Sequence, residues 1–424
     1  MSRRRVVSIL AWIFLATCIF WYVRETIWLE IPGLIDDNSD FRFYQQAARA
    51  VVSGRSPYTA NGYIYPPTTA FLMTPLARLD YVTGRRVWFA IEQVFLVAAG
   101  VLLWRRRGRD LAAACWIAFV WAVGGSAVEA LGLGQMGPVL TLALTVVCTE
   151  TGWLQGAAAV FCFAVKLFPG IVALGVALRR ERAPVMGGIL AAVALLVVPW
   201  FIMRVWLPGP MKPYMRTAWA GTPATLSWSL PSVVLRILDP PVRGPKLPEN
   251  WLEGVDLEHI HPPAAHQRYS AAVGFAVLLA GLVILIRTVW PTVSAAQSPF
   301  VTGALTSLVL AASPVGWTHY QVTQYPTIAL LLLATWRSRR WLRLAGALSL
   351  ASLLYPVPVW VLTRYHDAHG GWTADSPATL LIWTSVTPLA MLALFGVFLI
   401  MAREAGSLVA REDSVRDRTN GSGA

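Results

Sequence analysis

Apolar residues recur in runs along the chain, at 6–23, 87–104, 111–130, 138–148, 153–178, 185–206, 269–290, 299–312, 322–336, 341–361 and 378–401. A helix needs roughly 20 apolar residues to cross a bilayer core. The run at 153–178 is read as two spans broken near Lys166, and the total comes to about twelve, the shorter runs counted as spans with the rest. The expected fold is an all-α polytopic membrane bundle. Residues 66–79 are apolar but too short to span and contain Pro75, so an interfacial or re-entrant helix is expected there. Two long loops remain, at about 24–86 and 207–268, both rich in Trp, Tyr and Pro. In the first, Phe41, Tyr44, Ala48 and Val51 share one helical face, with Arg42, Gln45, Gln46 and Arg49 opposite. Gly54 and Pro57 end this short amphipathic helix, which is expected to lie at the membrane interface. Asp37 is its expected N-cap and Asp40 an acid of its first turn, where the helix dipole favours a carboxylate.

Composition agrees with that pattern. Apolar residues make up 56% of the 424 and charged residues only 13%, with a mean hydropathy of +0.56. A soluble domain carries about 25% charged residues, so a water-facing globule is excluded, and disorder with it. The formal charge of +13 comes from Lys/Arg clusters at the ends of apolar runs, which is a topology signal rather than a nucleic-acid footprint. The clusters at 3–5, 105–109, 179–182, 337–343 and 403 fall on one side when the spans are walked in alternation. Both termini are therefore expected in the cytoplasm, with a tail at 403–424 and both long loops outside. The whole of 1–424 reads as one integral membrane domain. The first run is longer than a signal-peptide core and has no small-x-small cleavage site, so it is expected to stay as a helix. The four cysteines lie inside apolar runs, without metal-ligand or disulfide spacing.

Candidate chemistry rests on polar residues in apolar surroundings. Only three lysines occur, and Lys166, in Ala164-Val165-Lys166-Leu167-Phe168-Pro169, is the one inside an apolar stretch. An embedded cation costs several kcal/mol and is functional by default. Snorkelling to the headgroups from a helix break is an equal alternative. Asp40, Gln135 and His319 each have an adequate structural explanation: a dipole partner, a glycine-rich turn and an interfacial histidine. The charge-derived topology nevertheless brings Asp40, Gln135, Lys166 and His319 to one membrane face. That set suits transfer from a phosphate-linked donor, because the anionic leaving group needs positive charge and the acceptor hydroxyl needs one carboxylate. No second acid is demanded, unlike glycoside hydrolysis. The competing class is a transporter or flippase of a lipid-linked sugar, which calls for midplane polar groups and internal repeats.

The ordered segments Asp40-Phe41-Arg42-Phe43-Tyr44, Gly54-Arg55-Ser56-Pro57-Tyr58, Tyr65-Pro66-Pro67, Gly134-Gln135, Lys166-Leu167-Phe168-Pro169, Ser229 with Arg236-Ile237-Leu238, and Ser313-Pro314 with Trp317-Thr318-His319 resemble glycosyltransferase family 87. The resemblance implies a GT-C architecture and an inverting hexosyl transfer, with mannose the expected sugar. It also implies a polyprenyl-phosphate sugar as donor, a glycolipid or lipid-linked glycan as acceptor, and a bacterial plasma membrane as the setting. It makes Asp40 the expected general base and places Lys166, His319, Gln135, Trp317, Tyr65 and Arg42 against substrate. No cofactor, metal or nucleic acid is expected. Asp36, Asp37 and Asp40 could ligate a divalent ion, but a donor phosphate beside basic residues does not require one. Three places depart from one family member: Gly137 stands for an Asn, Tyr320 for a second His, and Ser227-Trp228 for Asn-Gln. These bear on the choice of acceptor and sugar.

Overall fold

The computed structural model describes residues 3–28, 30–31, 39–209, 227–238, 263–290, 293–314, 316, 318–354 and 377–421, and every regular element among them is helical. Helix α1 (Arg3–Val23) runs on through a π turn. Short helices α2 (Phe41–Val52) and α3 (Pro67–Leu72) lead into the long α4 (Tyr81–Arg107). Then come α5 (Leu111–Val123), α6 (Ser126–Leu133), α7 (Gly137–Thr149), α8 (Trp153–Val165) and α9 (Val172–Ala177). A π turn joins α10 (Arg182–Ala192) to α11 (Val198–Trp206). The chain closes with α12 (Leu230–Leu238), α13 (Ala264–Val289), α14 (Ser298–Ala312), α15 (Tyr325–Arg337), α16 (Trp341–Ser352) and α17 (Pro377–Gly421). The last helix therefore continues past the expected span and through most of the expected tail.

Among the described residues, five helices are long and apolar enough to cross a membrane: Arg5–Trp28, Tyr81–Arg107, Arg182–Trp206, Ala264–Val289 and Ser385–Leu408. Their lipid-compatible faces are open, with Trp12, Phe20, Phe201 and Phe275 all exposed. A sixth is formed if α5 and α6 count as one span, but they are bent by 58°. The single helix expected over 111–130 is thus broken at Gly124 and Gly125. The Tyr325 hydroxyl fills the break, donating to the Gly124 carbonyl and accepting from Ala127 N at 3.1 Å. Such breaks persist in a membrane only where a neighbour satisfies the freed backbone. Four further apolar helices have 10–17 residues, about 15–26 Å at 1.5 Å per residue, short of a 30 Å core. By length, five or six spans are present among the described residues, against about twelve counted from the apolar pattern. The molecule is a multi-pass helical membrane protein.

Those shorter helices build the core. In α14 every residue but Phe300 is buried, as an all-round apolar helix requires. Close packing of α8 on α10 uses glycine: a Cβ at Gly156 would collide with the Pro184 carbonyl, and one at Gly187 with the Trp153 backbone. Small residues at a helix crossing let backbones approach and gain van der Waals contact.

Several of the basic clusters meet. Arg106 bonds Glu150 at 2.7 Å, Arg337 bonds Asp110 at 2.7 Å, and Arg343 bonds Glu404 at 2.6 Å. Arg337 also donates to the Arg107 carbonyl at 2.7 Å. Clusters far apart in sequence thus converge where α4 ends and α5 starts.

Candidate active site

At the opposite end of α4, a 27-residue helix about 40 Å long, four segments come together. They are the start of α2, the turn after α6, the break after α8, and a 3-10 helix at Thr318–Gln324.

Helix α2 is clamped against the segments that follow it. Phe41, Tyr44, Ala47 and Ala48 are buried. Gln45, expected on the polar face, is buried too and donates to the carbonyls of Leu76 and Leu79, both at 3.1 Å. Arg49 adds a bond to Ala77 O at 3.0 Å. Asp40, not Asp37, is the N-cap residue of this helix, and its side chain makes no capping bond. The carboxylate is turned instead toward Gln135, whose Nε2 donates to Oδ2. The reading of Asp40 as a first-turn dipole partner is corrected accordingly: another partner takes the carboxylate away from the helix end. Asp36, Asp37 and Asn38 lie outside the described residues.

Gln135 is fixed from α4. Gly134 adopts φ +67, a left-handed conformation that costs a side chain energy and glycine nothing. The Gly134 carbonyl accepts from Trp88 Nε1 at 3.0 Å, and Arg85 Nη2 donates to Gly132 O at 2.9 Å. With its backbone held, Gln135 presents both ends of its amide: Nε2 goes to Asp40, while Oε1 accepts from Tyr44 at 3.0 Å and from Lys166 Nζ at 3.3 Å.

Lys166 follows the last residue of α8 in an extended conformation, φ −153 and ψ 125. Pro169 lies three residues on, and the orphaned Val165 carbonyl accepts from Thr69 of α3 at 3.0 Å. The ammonium is buried and lies 3.7 Å from the Tyr320 ring centre, 5.3 Å from Tyr65 and 5.8 Å from Phe168. Cation–π attraction of about 2 kcal/mol per desolvated pair offsets part of the burial cost. Snorkelling to solvent is excluded by this enclosure.

His319 is buried, with its ring edge-on to Tyr320 at 4.6 Å and Nδ1 at 3.6 Å from Glu129 Oε1. Burial pushes its pKa down, Glu129 pulls it up, and Lys166 and Asp40 act on it in opposite senses. Burial likewise holds the Asp40 carboxyl above its ordinary value, while His319, Lys166 and Arg42 draw it back. The loop before His319 is tied to the start of α12: Trp228 N donates to Gly316 O at 2.7 Å, and Gly316 N donates to Ser227 Oγ at 3.1 Å.

The structure therefore joins Asp40, Gln135 and Lys166 directly and sets His319 and Tyr65 around them. Arg42 is half-buried, packs on Phe43 at 5.3 Å, and reaches the group through its charge on Asp40. Trp317 lies outside the described residues. Sequence reasoning missed Tyr44, Phe168, Tyr320 and Glu129. Glu129 carried a signal, since it is a lone carboxylate inside an apolar run. Two departures from the family pattern fall here: Tyr320 covers Lys166, and a Cβ at Gly137 would lie 3.6 Å from His319 O. The third, Ser227-Trp228, holds the loop before His319.

The arrangement offers one carboxylate, one ammonium and one imidazole around an amide in a membrane protein. That fits group transfer from an anionic leaving group, and comparison with known proteins identifies the group. Glycosyltransferase family 87 matches over residues 63–249. The polyprenol-phosphate-mannose-dependent alpha-(1-2)-phosphatidylinositol mannoside mannosyltransferase of Mycobacterium tuberculosis is 26% identical, over 92% of this chain and 91% of that protein. The corresponding pentamannoside mannosyltransferase of Mycolicibacterium smegmatis is 25% identical, over 74% and 71%. The catalytic subunit of GPI alpha-1,4-mannosyltransferase I of Danio rerio is 26% identical over 41% of this chain, which spans less than half (44%) of that relative. A crystal structure of ArnT from Cupriavidus metallidurans bound to undecaprenyl phosphate aligns over 93% of this chain and 77% of that one, at 13% identity and a TM-score of 0.41. That likeness is too loose to build on. The sequence matches make the chain a membrane-embedded glycosyltransferase. Over residues 63–249 it is similar to glycosyltransferase family 87.

Proposed function

We propose that the chain transfers a mannosyl residue from a polyprenyl-phosphate donor to a hydroxyl of a glycolipid or lipid-linked glycan at the outer face of a bacterial plasma membrane. The observation that carries this reading is the Asp40–Gln135–Lys166 chain, in which one amide holds a carboxylate and a buried ammonium on its two ends. The acceptor oxygen bonds to C1 of the sugar, and its proton passes to Asp40. The C1–O bond to phosphate breaks, its electron pair leaves on the phosphate, and Lys166 receives the anion. Attack opposite the leaving group inverts the anomeric centre. The donor follows the activity for which the two mycobacterial relatives are named. The outer face follows from the site lying at the far end of α4 from the arginine clusters, which mark the cytoplasm. The full GT-C bundle of about twelve spans, with two outer loops, is part of the same reading.

The test is transfer of label from polyprenyl-phosphate mannose to a lipid extract by the purified protein in detergent, with Asp40→Asn as the inactive reference. Absence of transfer, with movement of lipid-linked sugar across liposomes instead, favours the flippase reading. Topology is tested by cysteine labelling: a Cys at exposed Ser53 is reached from outside and one at exposed Gly108 is not. The reverse pattern overturns the outward orientation.

A further inference from the structure

Glu129 has no part in the transfer step above, yet it is a carboxylate in the middle of α6, an apolar helix, and it is only half-buried. A charged group in such a place needs a reason. Its place is set by the bend at Gly124-Gly125, which swings α6 out of line with α5 by 58° and carries Glu129 to the 3-10 helix at Thr318–Gln324. There its Oε1 lies 3.6 Å from His319 Nδ1. The bend is itself held by the Tyr325 hydroxyl, from the helix that follows His319. One element thus braces both partners.

The two nitrogens of an imidazole point apart. A carboxylate beside Nδ1 favours the tautomer with its proton on Nδ1, which leaves the Nε2 lone pair directed away from Glu129. The charged groups acting on His319 are Glu129 from α6, Lys166 from the break after α8 and Asp40 from the start of α2. The ring also stands edge-on to Tyr320 at 4.6 Å, which holds its plane.

Resting on the transfer reading, we propose that Glu129 is a positioning residue that holds His319 as a neutral, Nε2-accepting imidazole, and that His319 therefore binds a sugar hydroxyl and not the phosphate. An anionic phosphate oxygen offers no proton to a lone pair, whereas a sugar hydroxyl does. This divides the site: Lys166 meets the phosphate and His319 meets the sugar. It sharpens the expectation that Lys166 and His319 both lie against substrate. Burial favours the same state of the ring, since it opposes protonation of His319. The hydroxyl could belong to the donor sugar or to the acceptor, and the chemistry is the same for both.

The experiment reads the tautomer directly. The full-length protein in detergent is labelled with nitrogen-15 histidine, and the His319 signals are assigned by their loss in His319→Asn. In the wild type at neutral pH, Nε2 is expected at an unprotonated shift and Nδ1 at a protonated one. In Glu129→Leu nothing is left to accept from Nδ1, so the preference for the Nδ1-protonated form is lost and the two assignments mix or exchange, while Glu129→Asp keeps the wild-type pattern. A protonated Nε2 in the wild type, or an unchanged spectrum in Glu129→Leu, overturns the proposal whether or not any transfer is seen. If the spectra behave as expected and no transfer occurs with any donor, the transfer reading fails and the positioning claim stands.

Titration with a short-chain polyprenyl-phosphate mannose and with methyl α-mannoside then distinguishes the source of the hydroxyl. The one that moves the Nε2 signal supplies it. Movement by inorganic phosphate instead returns His319 to the leaving group and overturns the division of the site. In activity, Glu129→Leu is expected to lower kcat about 10- to 100-fold, the usual cost of losing a carboxylate that orients a histidine. Glu129→Asp restores most of the rate.

Discussion

The two ends of α4 hold charge in opposite ways. At the Arg105–Arg107 end, ion pairs are wet: both side chains of Arg337–Asp110 are more than 40% exposed, and Arg106 pairs with Glu150 from the surface. At the other end, Lys166 and His319 are buried, Asp40 is half-buried, and among the described residues no carboxylate touches the ammonium. An amide stands between Asp40 and Lys166, and aromatic rings take the place of water. A charge exposed to water contributes little and costs little. A charge enclosed without a direct counter-ion is costly, and such an arrangement persists where a ligand supplies the missing partner. The comparison separates charges exposed at the arginine end from charges enclosed at the candidate site.

The largest effect should come from removing the proton acceptor. Asp40→Asn preserves size and can still bond Gln135, so folding and insertion should be unchanged. Transfer should fall about 10²–10⁴-fold, measured as initial rate at saturating donor. Near-normal activity would reduce Asp40 to a partner of Gln135 and break the contrast at its strongest point.

Lys166→Met comes next. It fills similar volume, removes the charge, and relieves a burial cost, so the protein should be at least as stable while the rate falls about 10²–10³-fold. Loss of stability along with activity would mean the ammonium is a structural group. The same variant gives a pH test. Lys166 draws the Asp40 pKa down against the upward push of burial. Asp40 serves as base only when ionised, so activity is full above its pKa and lost as pH falls through it. Without Lys166 that acid limb should move to higher pH in kcat/KM, whereas Arg337→Gln at the wet end should leave it in place.

How much of this was legible in advance follows the same division. Long spans such as α4 and α13 and the basic clusters are local signals, set by apolar length and by Lys/Arg position. The break at Lys166 was legible because a lysine and Pro169 interrupt one run. The bend at Gly124-Gly125 was not, since the Tyr325 hydroxyl that satisfies it lies about two hundred residues away. In the site, Asp40, Gln135, Lys166 and His319 stood out as polar residues near one face. Tyr44 and Tyr320 did not, because an aromatic residue in an aromatic-rich loop carries no mark of its partner. Gln45 was misread as solvent-facing because its acceptors, the carbonyls of Leu76 and Leu79, are invisible to periodicity.

The smallest effects belong to the wet end, and they test the comparison from its other side. Arg337 bonds Asp110 at 2.7 Å and the Arg107 carbonyl at 2.7 Å, while Asp110 also caps α5 by accepting from Ala113 N at 2.7 Å. Arg337→Gln removes an exposed ion pair and should cost about 0–1 kcal/mol, or nothing measurable. Asp110→Ala removes the cap as well and should cost about 1 kcal/mol more. Thermal unfolding in detergent at low and high salt separates the two contributions: screening should erase the Arg337→Gln difference but not the cap. Neither variant should change the rate of transfer by more than about twofold, because the pair lies a helix length from Asp40. A large loss of activity in Arg337→Gln would mean that the two ends are coupled through α4, and the division between exposed charges and enclosed charges would then have to be given up.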